Sequence, residues 1–138
     1  MVDRDLARRK LLSLDQYQRE LGELVSSGRE RYLADWRAQR AAERTLQLAI
    51  EVCIDLAEHV IADHRLPIPE TVAGAFETLH KAKLLEPTLA GALVRMARFR
   101  NLLVHDYVRI DAARVFEIAT TDVADIDRFA QAIRELIG

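Results

Sequence analysis

The sequence predicts an all-α protein, an up-and-down helical bundle of four to five helices. Half of its 138 residues are hydrophobic, and most of these are Leu, Ala, Ile and Val, a composition that favours helices. Only 5 Gly and 3 Pro are present, too few for a loop-rich β-sandwich. Apolar residues recur at spacings of three and four, and no segment alternates as a strand does. We expect one helical domain over residues 1–138.

Two helices are predicted in the N-terminal half. The first covers residues 3–25 and ends at Ser26-Ser27-Gly28. Its apolar stripe contains Leu14, Tyr17, Leu21 and Leu24. The second is expected as one long helix over residues 29–65, straight or kinked, because this stretch lacks Gly and Pro. Its stripe contains Ala49, Val52, Leu56 and Val60.

Three helices are predicted in the C-terminal half. Pro67 ends the long helix, and Pro69 suits the first turn of a shorter helix over residues 70–82. Another helix starts at Pro87 and reaches residue 105. The last covers residues 122–137, with Asp122 as its N-cap. Residues 106–121 are compatible with either a short helix or an extended segment.

Composition and charge exclude several classes of protein. The single cysteine, Cys53, excludes an internal disulfide and a cysteine-based zinc site. The charged N-terminus and the short apolar runs predict neither a signal peptide nor a membrane span, so we expect a cytoplasmic protein. The net charge of −2 argues against bulk nucleic-acid binding. However, residues 87–110 carry four arginines and one aspartate, a net charge of +3, which leaves −5 for the rest.

Arg100 interrupts the apolar pattern of the fourth predicted helix. On a helical projection it lies near the middle of a broad stripe, with Tyr107 almost directly beyond it. The stripe contains Leu89, Leu93, Met96, Ala97, Leu103 and Val104. Phe99 and Leu102 lie on the opposite side, so we expect burial from both sides, within the bundle or against a second chain. A guanidinium there needs either a carboxylate partner or a polar cleft.

Asn101 and His105 are four residues apart and neighbour each other on a second strip of this helix. Arg100 and His105 are five apart, so their directions differ by roughly 140° and one straight helix cannot aim both at one atom. They can flank a groove if the helix ends near His105, or two copies of the segment can meet in a symmetric dimer. We therefore expect the site at a twofold interface.

These residue types suit RNA cleavage without a metal. The 2′-hydroxyl must lose a proton, the 5′-oxygen must gain one, and the phosphorane charge must be stabilised. Histidine performs proton transfer, and arginine stabilises phosphate charge. The segment Arg100-Asn-Leu-Leu-Val-His105-Asp-Tyr107 resembles the R-x4-H motif of HEPN-domain ribonucleases, with the H-x-Y extension of HepT-type toxins. The resemblance includes residues 47–57 and 67–69, so it covers residues 30–110.

The resemblance implies a HEPN-like dimer that acts as a metal-independent endoribonuclease on RNA, either tRNA or mRNA, with no cofactor. It further implies the toxin of a toxin–antitoxin module whose antitoxin, an MntA-type minimal nucleotidyltransferase, attaches AMP to the motif tyrosine. Matched by position, Arg100 and His105 are then catalytic, Asn101 supports them and Tyr107 is the modified residue.

Two alternatives remain open at the level of sequence. Glu77 and His80 have the spacing of half a di-iron site, and Glu51, Asp55 and His59 of the long helix repeat at four, but the second Glu-x-x-His pair of such a site is missing. The other alternative is a non-catalytic helical adaptor that partners a nucleotidyltransferase. It shares the fold and the dimer and gives Arg100 and His105 structural roles.

Overall fold

The computed structural model of the chain describes residues 3–138, and the regular structure in this range is helical throughout. In chain order the helices are α1 (Arg4–Val25), α2 (Arg29–Leu33), α3 (Trp36–Asp63), α4 (Gly74–Lys81), α5 (Pro87–His105), α6 (Ala112–Glu117) and α7 (Val123–Ile137). A 3-10 turn at Tyr107–Arg109 follows α5, and a π-helical turn at Ile118–Asp122 joins α6 to α7. The predicted all-α class is confirmed.

The core lies among the four long helices α1, α3, α5 and α7, with the short helix α4 packed against α3 and α5. α1 packs along α3, while α3 also packs against α4 and α5, and α7 packs against α5. Rings from α4 and α7 meet edge to face, with the Phe76 and Phe129 centroids 5.5 Å apart. Cys53 is buried in this core, and burial raises the pKa of its thiol to about 12. Within the described range, no helix combines the length and hydropathy that a membrane crossing needs.

The prediction of one helix over residues 29–65 is wrong, because the helical backbone is interrupted between α2 and α3. Asp35 adopts extended backbone angles, and its Oδ1 accepts hydrogen bonds from the backbone N–H groups of Arg37 and Ala38, at 3.0 and 3.2 Å. This is an N-cap, which can start a new helix without Gly or Pro. Gln39 Nε2 donates to the carbonyls of Tyr32 and Leu33 at 3.1 Å, which satisfies the end of α2.

Two other predicted boundaries need correction. The helix predicted over residues 70–82 is α4, and it begins at Gly74 rather than at residue 70. It follows a turn in which Thr71 Oγ1 accepts a hydrogen bond from the Gly74 N–H at 3.0 Å. Pro69 therefore lies outside the helix. Asp122 caps no helix, because helical backbone already begins at Ala112, where Asp111 supplies the cap. Asp122 instead accepts from Arg114 Nη1 at 3.4 Å.

Tyr32 is a buried residue whose polar end is not satisfied. Its ring packs on Phe116 with centroids 5.4 Å apart, and its side chain is fully buried. Over residues 3–138, no group forms a hydrogen bond with its hydroxyl. Burial, and secondarily the nearby Glu43 carboxylate, raises the pKa of Tyr32 to about 12. The phenol therefore stays neutral well above its ordinary range.

We expect Tyr32→Phe to raise the free energy of unfolding by about 1 kcal/mol, because it removes a buried hydroxyl that lacks a partner. Urea denaturation followed by circular dichroism measures this. In the wild type, stability should fall as the pH rises from 10 to 12, since the phenol ionises near 10 only in the unfolded chain. Tyr32→Phe should lose less over that interval. A clear loss of stability at neutral pH would show that the hydroxyl contributes a favourable contact.

Candidate functional site

The candidate site lies at the C-terminal end of α5, where Arg100 faces α3. The Arg100 side chain is 23% exposed and forms an ion pair with Glu51 of α3. Its Nε and Nη2 both donate to Glu51 Oε1, at 3.2 and 3.0 Å. Of the two environments that the sequence left open for this guanidinium, the structure has the carboxylate partner.

Glu51 Oε1 accepts a third hydrogen bond, from Gln47 Nε2 one turn earlier on α3, at 3.0 Å. The orientation of this carboxylate is therefore fixed from its own helix as well as from α5. The apolar pattern that singled out Arg100 gives no signal for Glu51 or Gln47 as its neighbours. Their spacing of four residues indicates a shared face of α3, but nothing in the sequence shows that this face meets Arg100.

Asn101 contacts Arg100 as well. Its Oδ1 accepts from Arg100 Nη1 at 3.2 Å. Three of the five guanidinium N–H groups are thus engaged, and one N–H remains on each terminal nitrogen. Phosphate oxygens accept hydrogen bonds from such N–H groups, so the engaged guanidinium still has donors for an anion.

His105 is the last residue of α5, and the backbone leaves the helix at Asp106 (φ −147°, ψ 48°). Its side chain is exposed, and no hydrogen bond or ion pair holds the imidazole among the residues that the structure describes. The helix therefore ends where the groove hypothesis needs it to end. Helical geometry still separates the directions of Arg100 and His105 by roughly 140°.

Exposed apolar side chains surround the end of α5. We call them the apolar collar: Leu102, Val104, Tyr107 and Val108, with exposed fractions of 41, 36, 70 and 81%. Val104, which the sequence places on the broad apolar stripe, is not buried within its own subunit. Tyr107 does not continue the helix either, since it starts the 3-10 turn. Four such residues in one region indicate a surface that a partner covers.

Two arginines of α5 are free to interact with an anion. Arg95 and Arg98 are exposed, and neither has an ion pair within residues 3–138. Arg98 and His105 are seven residues apart, which places them on one face of the helix about two turns from each other. Arg109, in contrast, pairs with Asp106 at 3.4 Å. The positive charge predicted for this segment is therefore only partly neutralised.

Two of the carboxylates that the metal alternative uses, Glu51 and Asp55, are paired with cations. Glu51 binds Arg100, and Asp55 Oδ2 accepts from Lys10 Nζ at 3.1 Å. In the part of the chain that the structure describes, no three His, Cys, Asp or Glu side chains are grouped as metal ligands. His80 Nδ1 lies 3.2 Å from the Leu85 carbonyl, a local contact at the end of α4.

Comparison with known proteins finds relatives that match most of this chain. The family model described as "Ribonuclease HepT-like" matches residues 14–133. The mRNA nuclease HepT of Shewanella oneidensis is 25% identical over 130 residues, which span 94% of this chain and 97% of that protein. The tRNA nuclease HepT of Aphanizomenon flos-aquae is 31% identical over 107 residues, which span 78% and 73%.

Solved structures share the fold. A toxin–antitoxin complex with AMP-PNP superposes with a TM-score of 0.90 at 24% identity, covering 95% of this chain and 98% of the other. A tri-AMPylated Shewanella oneidensis HEPN toxin in complex with an MNT antitoxin gives 0.89, with the same identity and coverage. At this identity the superpositions show that the helical arrangement is common to these chains.

Proposed function

The chain belongs to the HepT-like ribonuclease family, and we propose that it is the toxin of a toxin–antitoxin pair, a metal-independent endoribonuclease. Arg100 and His105 carry the catalysis, with Asn101 in support. The observation that carries this proposal is the state of the site: a fixed guanidinium with two N–H groups left for a phosphate, and an unengaged imidazole at the end of the same helix. The substrate is tRNA or mRNA, the two RNA classes for which the relatives are named.

The proposed reaction is an internal transfer at one RNA phosphate. A neutral imidazole accepts the proton of the 2′-hydroxyl, whose oxygen forms a bond to phosphorus. The bond from phosphorus to the 5′-oxygen breaks, and an imidazolium donates a proton to that oxygen. The two remaining N–H groups of Arg100 stabilise the charge on the phosphorane oxygens. Arg98 supplies a further phosphate contact on the His105 face, and Arg95 adds positive charge about one turn before Arg98.

A twofold dimer supplies what a single chain lacks. The apolar collar provides the contact surface, with Tyr107 at its solvent-exposed rim, and burial of the aliphatic side chains of Leu102, Val104 and Val108 drives association. Pairing two copies of α5 brings the arginine of one chain towards the histidine of its mate. Within one chain, the two side chains point in different directions and cannot meet. Each site then pairs the arginine of one chain with the imidazole of the other, which accepts the proton of the 2′-hydroxyl and, as the imidazolium, donates a proton to the 5′-oxygen.

Tyr107 is the proposed point of control by an MntA-type nucleotidyltransferase antitoxin. Its side chain is 70% exposed in the turn that follows His105, so a transferase can reach the hydroxyl. The phenol oxygen attacks the α-phosphorus of ATP, pyrophosphate leaves, and the tyrosine carries AMP. Each AMP adds a negative charge and a bulky group beside the site, which repels RNA phosphates.

Purified wild-type protein should cleave tRNA or mRNA in the presence of EDTA. Arg100→Ala and His105→Ala should each lower kcat at least about 100-fold, because each removes charge stabilisation or proton transfer. Arg9→Ala, which removes an exposed arginine of α1, is the matched control and should cleave normally. Cleavage that EDTA abolishes would support the metal alternative. Lack of cleavage by protein with unmodified Tyr107 would support the adaptor.

Val108→Asp should convert the dimer into a monomer and abolish cleavage, because it places a charge in the apolar collar. Light scattering coupled to size-exclusion chromatography measures the mass. Ile68→Asp is the control, since Ile68 is 90% exposed on a segment between α3 and α4. A monomeric wild type, or an active dimer of Val108→Asp, would contradict the role of the collar.

Co-expression with an active MntA-type nucleotidyltransferase should add the mass of one or more adenylate groups to a peptide that contains Tyr107, as measured by mass spectrometry. Tyr107→Phe should stay unmodified and retain nuclease activity in the presence of the transferase. Tyr17→Phe, a change in α1, should be modified and silenced like the wild type. A silenced Tyr107→Phe, or adenylation at another residue, would overturn this assignment.

A further inference from the structure

Glu51 is the only carboxylate that binds Arg100 within residues 3–138, and its placement differs from that of a surface ion pair. The two side chains are 31% and 23% exposed, and they join α3 to α5 across 49 positions of sequence. One oxygen accepts all three hydrogen bonds, two from Arg100 and one from Gln47. Both partners are thus fixed by groups on rigid helices.

We propose that Glu51 is the positioning residue for Arg100 in RNA cleavage, a role that rests on the proposed function of Arg100. An arginine side chain has four rotatable bonds and loses much conformational freedom when it binds a phosphate. Glu51 holds the edge formed by Nε and Nη2, and Asn101 holds Nη1, so this freedom is already lost before RNA arrives. The guanidinium meets the phosphorane in the orientation that it already has.

The pattern of hydrogen bonds favours positioning over inhibition. An inhibitory lock would occupy the N–H groups that bind the substrate, whereas here one N–H on each terminal nitrogen remains. Gln47 contributes at one remove. By donating to Glu51 Oε1, Gln47 fixes the orientation in which the carboxylate faces α5.

The test compares Glu51→Gln with Asp55→Asn in single-turnover and steady-state cleavage of RNA. Asp55 is the matched control, because it lies one turn further along α3, pairs with Lys10 and loses the same charge. Glu51→Gln should lower kcat about 10- to 100-fold with little change in KM, as expected when a reacting group is misplaced. Asp55→Asn should keep the wild-type kcat. Thermal unfolding of both variants shows whether the fold is retained.

A second comparison isolates the path through Arg100. In an Arg100→Ala background, adding Glu51→Gln should change the residual rate very little, because a positioning residue acts only through the group that it holds. Gln47→Ala should lower kcat less than Glu51→Gln does. An unchanged kcat in Glu51→Gln, a raised kcat, or a loss of the same size in the Arg100→Ala background would each overturn the proposal.

A measurement without RNA separates this inference from the proposed function. The Nε–H group of Arg100 should give an NMR signal that exchanges slowly with water in the wild type, and Glu51→Gln should lose it while Asp55→Asn keeps it. If Arg100→Ala cleaves RNA as well as the wild type does, the proposed function fails even where this signal is present. If the wild type lacks the signal, the positioning role fails even where the protein is a nuclease.

Discussion

The ion pair between Arg100 and Glu51 is the constraint on which the site depends. A guanidinium that faces the core is costly unless a carboxylate compensates it, and Glu51 does so through two hydrogen bonds from Arg100 to one oxygen. This compensation keeps Arg100 on the side of α5 that faces α3. Because the helix has a fixed pitch, His105 then points elsewhere. The direction of Arg100 therefore determines that His105 of the same chain cannot reach the same phosphate.

The end of α5 is the reason we propose that a second chain completes the site. The helix stops at His105, and the residues around this end form the apolar collar instead of packing inside their own subunit. In the proposed dimer, the same contact that buries the collar brings Arg100 of one copy towards His105 of the other. Stability of the dimer and catalysis thus depend on one surface. A bulky anion on Tyr107 lies where it can act on both.

Periodicity predicted the helices well where one face is buried. Leu14, Leu21 and Val60 are all buried as the stripes indicate. The errors fall where a local side chain overrides the pattern. Asp35 starts a new helix by capping it, and Asp111 caps α6, from which helical backbone continues into α7 without a cap at Asp122. A capping residue within a helix-forming run looks the same as a solvated one, so the sequence did not reveal these breaks.

The candidate site was predicted in part. Arg100 stood out because a cation interrupts an apolar stripe, and the need for either a carboxylate partner or a polar cleft followed from that. Which carboxylate pairs with Arg100 depends on how α3 packs against α5. The spacing of residues along one helix does not show this tertiary contact. The contact of Asn101 with Arg100, rather than with His105, depends on the rotamers of adjacent residues for the same reason.

The most direct measurement of the central claim is complementation between two inactive chains. Arg100→Ala and His105→Ala proteins are each purified, mixed, partly unfolded to exchange subunits and refolded, and RNA cleavage is then measured. If the arginine of one chain serves the histidine of the other, mixed dimers contain one intact site, and about a quarter of the wild-type activity should return. If Arg100 and His105 act within one chain, every site in the mixture lacks one of them. Activity no higher than that of the separate variants would therefore contradict the account.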